Sequence, residues 1–195
     1  TEIRQVNDVQ SLYCTNEECA AKKIKAFTLF VSRDAMNIEG LSEATLEKFI
    51  GKGFIHEYSD IFHLDMHKGA ITTMEGFGEK SYQNLIASIE KARVTTLPKL
   101  IYSLGITGIG LAGVKLICKH FDQDFDKMLM ADTEQLSEID GIGGVLAEAF
   151  VSYFSDTEGN LAQVRKLVPR LYTLRVVSAL SYGADHATLS SYFLA

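Results

Sequence analysis

The chain has 195 residues, with 19 Lys and Arg against 25 Asp and Glu, three Cys, no Trp and two Pro, for a formal charge of −6. With 47% apolar and 23% charged residues it can build one ordinary domain or two small ones, which excludes a disordered chain or a collagen. No run reaches the roughly 20 apolar residues that cross a bilayer, three cysteines make no secreted disulfide scaffold, and the acidic balance weighs against nucleic acid.

In chain order, residues 1–25 form a separate small element. Within it Cys14 and Cys19 have a spacing that can close a turn around a metal. Structural zinc wants four ligands, and no second pair accompanies these two, so two free thiols is the competing reading. The start at Thr1, without methionine, points to a piece of something longer. A cytoplasmic location and no membrane partner are expected. Beyond Phe27–Val31, β-branched alternation is nearly absent, and an almost wholly helical domain is expected over 26–157. Thr157-Glu158-Gly159-Asn160 reads as a linker into a weakly patterned tail, 158–195.

The helical region contains a fourfold repeat: Glu39-Gly40-Leu41-Ser42, Glu75-Gly76-Phe77-Gly78, Thr107-Gly108-Ile109-Gly110 and Asp140-Gly141-Ile142-Gly143. The first glycines are 36, 32 and 33 residues apart. At offsets six, nine, ten and thirteen from each stand Leu46, Phe49, Ile50 and Gly53; Tyr82, Leu85, Ile86 and Ile89; Val114, Ile117, Cys118 and Phe121; and Ala147, Phe150, Val151 and Phe154. That spacing puts one apolar face on a helix after every glycine pair. A short apolar segment also precedes each pair, so the unit is helix, Gly-apolar-Gly turn, helix.

Such a turn tolerates positive φ and leaves no Cβ to block approach. The second helix begins at or just after the second glycine, and its unpaired N–H groups, backed by the helix dipole, form an anion site without a basic side chain. Phosphate is the natural ligand, and an array of such sites suits a phosphate polymer. The alternative for each copy is a close helix–helix corner with no ligand. The first copy, with Ser42 in place of glycine, is the weakest candidate. Lys80, Lys115 and Lys119 lie on second helices and add Coulomb attraction or simply face water. Cys118 takes the register of Ile50, Ile86 and Val151 and reads as core. No catalytic constellation stands out, and neither a P-loop nor a Gly-x-Ser-x-Gly elbow occurs.

The motif Cys14-Thr15-Asn16-x-x-Cys19-Ala20, then Phe30-Val31-Ser32-Arg33-x-Ala35-Met36-Asn37-Ile38-Glu39-Gly40-Leu41, resembles the second half of the zinc finger and the first hairpin of bacterial NAD-dependent DNA ligases. Glu79-Lys80-Ser81-x-x-Asn84-Leu85, Leu104-Gly105-Ile106 and Gly141-Ile142-Gly143 continue the likeness, which covers roughly residues 12 to 157.

The resemblance implies an all-α tandem array of four helix-hairpin-helix motifs over 26–157, preceded by a partial zinc-finger-like element over 1–25. It implies a parent enzyme that uses NAD and Mg to seal nicks in duplex DNA during replication and repair, with zinc where the full finger is present. The family's adenylated lysine lies in Lys-x-Asp-Gly, which is absent from this chain. The segment alone is therefore expected to be inactive and to carry no cofactor, with Cys14 and Cys19 as half of a zinc site. Carried over residue by residue, backbone contact to nicked duplex DNA falls on Gly40, Gly76, Gly78, Gly108, Gly110, Gly141 and Gly143, with Lys80 beside them.

Two other readings compete. One is a protein-interaction or dimerisation scaffold, favoured by the acidic surface. The other is the hairpin domain of a different repair protein. Residues up to 157 hold 15 basic and 23 acidic side chains, because four of the former and two of the latter follow them. A phosphate grip by this segment must rest on N–H groups, with the negative charge expected elsewhere. Residues 158–195 show no glycine and aromatic pattern of the family's BRCT domain.

Overall fold

The computed structural model describes residues 2–6, 9–13, 16 and 19–171. It opens with an antiparallel pair, β1 (Glu2–Val6) and β2 (Val9–Tyr13), in which Glu2 lies opposite Tyr13 and Val6 opposite Val9. Everything described after it is helix and turn. Cys14 and residues 172–195, including Val176 to Ala195, lie outside the described residues.

Helix α1 (Ala20–Val31) runs straight through the boundary expected between residues 25 and 26. Phe27–Val31, the one stretch with strand-like alternation, is its last turn. Tertiary burial overrides local β preference there, since Phe27, Phe30 and Val31 are all core residues. The Tyr58 ring stacks on Phe30 with centroids 4.5 Å apart and meets Phe27 edge-on at 5.2 Å.

After α1 come α2 (Glu43–Gly51), a 3₁₀ segment (Tyr58–His67), α3 (Lys68–Thr72) and α4 (Glu79–Ala92). Then follow α5 (Leu97–Ser103), α6 (Leu111–His120), α7 (Phe125–Met130), α8 (Thr133–Ser137) and α9 (Gly144–Ser155). Helix α8 is capped at Asp132. The Asp132 carboxylate accepts the Gln135 N–H at 2.8 Å, while Gln135 Oε1 accepts the Asp132 N–H at 3.2 Å, a reciprocal capping box.

Offsets six and nine of every repeat are buried: Leu46 and Phe49, Tyr82 and Leu85, Val114 and Ile117, Ala147 and Phe150. Offset thirteen fails in the first copy. Gly53 has φ +73° and ends α2 with a left-handed turn, closed by the Phe54 N–H donating to Phe49 O at 2.9 Å.

The hairpins pack in two reciprocal pairs. In the first, Gly40 lies against Leu85 of α4, and Phe77 of the second hairpin meets Phe49 of α2 with ring centroids 5.6 Å apart. In the second, Gly108 lies against Leu146 of α9 and Gly141 against Leu116 of α6. Helical Gly113 lets Ile109 and Ile142 close over α6, where a Cβ would stand 3.3 Å from Ile109 Cγ2 and 3.5 Å from Ile142 Cδ1.

The stretch read as a linker is a tight turn. Asp156 Oδ1 accepts the Gly159 N–H at 2.9 Å and Oδ2 the Asn160 N–H at 3.0 Å. It launches α10 (Asn160–Leu167) and a short 3₁₀ turn (Val168–Arg170). Leu161, Val164, Leu167 and Leu171 are buried, so packed structure continues well past residue 157. Their spacing of three, three and four is the helical period that the polar start of the segment obscured.

Candidate nucleic-acid interface

All four first glycines adopt left-handed backbone: φ is +92° at Gly40, +80° at Gly76, +79° at Gly108 and +88° at Gly141. In the last three copies the apolar residue's N–H closes the turn, from Phe77 to Met74 O (2.9 Å), Ile109 to Ile106 O (3.1 Å) and Ile142 to Ile139 O (2.8 Å). Glycine there sits at the third position of a turn that demands positive φ. The apolar residue points inward: Leu41, Ile109 and Ile142 are buried, and Phe77 is half-buried.

The residue two places after each first glycine is the N-cap of the following helix, in extended backbone every time. Ser42 has φ −65° and ψ 163°, and its hydroxyl accepts the Thr45 N–H at 3.2 Å. Gly78, Gly110 and Gly143 have φ of −114°, −80° and −79°, with no side-chain cap. No atom lies within 4 Å of where a Cβ on any of these three would stand. Neither dihedral strain nor packing requires glycine at them, and Ser42 shows that the same turn accepts a side chain. Glycine there keeps the mouth of the helix bare. The N–H groups of Glu79 to Ser81 and of Leu111 to Gly113 precede the first intrahelical bonds, which Tyr82 and Val114 make to Gly78 O and Gly110 O.

The four mouths differ electrostatically. Glu39, Glu75 and Asp140, all exposed, immediately precede the first glycine in copies one, two and four, whereas copy three has Thr107. The expectation that negative charge lies away from the hairpins is corrected by these three carboxylates. They flank the turn, where solvent reaches them and their charge is screened. In copy three the exposed Lys115 and Lys119 share a face of α6 with exposed Ala112. In copy two Lys80 is exposed in the first turn of α4. Its neighbour Glu79 is engaged by Lys68 Nζ at 2.8 Å, which holds the Glu79 carboxyl below its ordinary range and lifts the Lys68 ammonium. Copy four carries Glu148 and the exposed Val145 instead of a lysine.

The first hairpin is the most committed to packing. Ser42 fills its mouth, Glu43 opens its helix, and the Glu39 N–H donates to Ser88 Oγ of α4 at 2.7 Å. An open groove between this hairpin and α4 is lined by Asn37, Ser81, Asn84, Ser88 and Lys91. Sequence reasoning did not find it, because it joins residues from two copies.

A family model described as the helix-hairpin-helix motif matches residues 99–162, which is the second hairpin pair together with the start of α10. A DNA ligase of Lachnoclostridium phytofermentans is 63% identical over 161 residues, covering 83% of this chain and 25% of that protein. The chain belongs to the bacterial DNA ligase family. A DNA ligase of Ruminiclostridium cellulolyticum is 56% identical over 156 residues, 80% of this chain and 24% of that one. A third, from Levilactobacillus brevis, is 31% identical over 192 residues, 98% of this chain and 27% of the relative. The chain thus spans about a quarter of the length of the curated ligases it matches.

Within this ligase segment, Cys19 is a half-buried residue at the N-cap of α1. Among the described residues, which do not include Cys14, no group of three or more His, Cys, Asp and Glu stands close enough to hold a metal. No helix among them is long and apolar enough to cross a membrane. Cys118 is fully buried on α6, and burial pushes its thiol up to about 12.

Proposed function

We propose that this chain is the DNA-gripping segment of a cytoplasmic NAD-dependent ligase that seals nicks in duplex DNA. It holds the phosphate backbone through helix-start N–H groups, without reading base sequence. The observation that carries this reading is the set of bare glycines at Gly78, Gly110 and Gly143, each placed where a side chain fits the fold but obstructs an approaching phosphate. Gly76, Gly108 and Gly141 supply the turn that presents them. Gly40 belongs to the hairpin that supports the second, and Lys80, Lys115 and Lys119 add charge. The adenylation step, with NAD and Mg, belongs to parts of the parent enzyme that carry Lys-x-Asp-Gly.

The test is binding of the chain to a fluorescent nicked duplex and to an intact duplex of scrambled sequence, at low and physiological salt. Comparable, salt-sensitive affinity for both supports a backbone grip. Failure to bind either at low salt, or self-association that alone responds to Gly110→Val, would instead establish the hairpins as a protein-interaction scaffold.

A further inference from the structure

The two hairpin pairs are joined covalently by the short link from Arg93 to Thr96, between α4 and α5. Directly packed contacts also join them: α1 meets α5, and a Cβ on Gly105 would stand 3.1 Å from Leu29 Cδ2. A second connection is made by the segment after α9. It leaves the second pair at Asp156, packs α10 against both α9 and the 3₁₀ segment Tyr58–His67, and ends on the first pair.

Its far end is held by Arg93, the C-cap of α4. That guanidinium donates from Nη1 to Arg170 O at 3.1 Å and from Nη2 to Phe62 O at 2.8 Å, and its Nε donates to Glu90 Oε1 at 2.8 Å. It also lies over the Phe62 ring, 5.2 Å from the centroid. A planar fork that addresses two carbonyls and a carboxylate at once is work for arginine, which lysine cannot reproduce. Midway, Lys166 Nζ reaches Glu57 Oε2 at 2.7 Å, and Leu161, Val164, Leu167 and Leu171 bury the inner face.

We infer that residues 156–171 are a brace that fixes the angle between the two hairpin pairs, with Arg93 and the Glu57–Lys166 ion pair as positioning residues outside the four Gly-apolar-Gly/Ser turns. The consequence for DNA rests on the function proposed above. Two pairs held at one angle engage one duplex as a preorganised bivalent clamp, and loosening them lowers the effective concentration of the second pair at the backbone once the first has bound.

The brace is tested by the distance between spin labels at Gln83 and Glu148, exposed positions on the first and second pairs, in the full chain with Cys14→Ser and Cys19→Ser. A single narrow distribution is expected, broadening about twofold in Arg93→Ala as a hinge is released, and broadening equally in Arg93→Lys. The reversals Glu57→Lys and Lys166→Glu each broaden it, and the double reversal narrows it again, which excludes unfolding as the cause. Duplex affinity falls about tenfold in Arg93→Ala while circular dichroism stays helical. A distribution that is unchanged in Arg93→Ala and in both reversals overturns the brace. If the distributions change as expected but even the parent chain binds no DNA, the brace stands and the DNA reading falls.

Discussion

Gly141 of the fourth hairpin faces Leu116 of helix α6 so closely that a Cβ on it would stand 3.1 Å from Leu116 Cδ1. The same residue has φ +88°. Two independent demands therefore converge on one glycine, and they differ from those on Gly143, only two residues away.

Gly141→Ala and Gly108→Ala should each destabilise the fold by about 1–2 kcal/mol through the left-handed backbone, with an added cost for displacing Leu116 or Leu146. Gly76→Ala meets the same dihedral demand with no atom within 4 Å of its Cβ, and should cost less than the other two. Urea unfolding of the three variants checks the order. Equal losses would show that contact with the opposite helix contributes nothing.

At the second glycines the expectation reverses. Gly110→Ser gives α6 the cap that Ser42 gives α2, so stability should hold or rise by a few tenths of a kcal/mol. Duplex affinity should fall severalfold, because the hydroxyl occupies donors that a phosphate would take. Thermal melts alongside fluorescence anisotropy on the same samples separate the two effects. A variant that binds DNA as tightly as the parent removes Gly110 from the interface.

Lys115 and Lys119 should reveal themselves through salt. Replacing either with alanine should lower the slope of log affinity against log salt by about one, if it neutralises a phosphate. Lys48, on the helix that follows the capped first hairpin, should leave the slope unchanged. Titrations at several chloride concentrations provide the comparison, and equal slopes in all three variants would assign the grip to N–H groups alone.

Alkaline pH should unfold the protein through Cys118. Its thiol is raised in the fold to about 12 by burial, from an ordinary value of 9.0. The unfolded chain therefore releases a proton that the folded one retains once pH passes about 9. Stability is unaffected below that value and falls as pH climbs from about 9 toward 12. Tyr153 is raised in the same direction by burial and adds to the loss. In Cys118→Ala the slope of melting temperature against pH over this window should be shallower than in the parent.

The hairpins were legible because two rules coincide on them. Left-handed φ selects glycine at Gly40, Gly76, Gly108 and Gly141, and the helical period then fixes which downstream residues are buried. Ser42 was legible as the odd copy because it alone breaks the Gly-apolar-Gly pattern. The C-terminal end of α1 was hidden, since Phe27–Val31 has a strand's composition and only packing around Tyr58 makes it helical. The brace was hidden differently. Polar Thr157-Glu158-Gly159-Asn160 looks like a chain leaving the domain, and the feature that turns it back, the Asp156 carboxylate on two N–H groups, is a local contact that composition does not display. The electrostatic ranking of the hairpins was available in the residue before each glycine, but net charge summed over the chain conceals it.

The return of α10 to the first hairpin pair also changes what the Arg93–Thr96 link must do. Val94, 65% exposed within it, offers a protease an accessible peptide. A cut there would sever the chain between its two halves, yet the buried leucines of the returning segment would still seat one half on the other. The nicked protein should elute from gel filtration as a single species and separate only in denaturant. Covalent continuity between the pairs is then dispensable once folding is complete, and a ligase segment cleaved at this point keeps its shape.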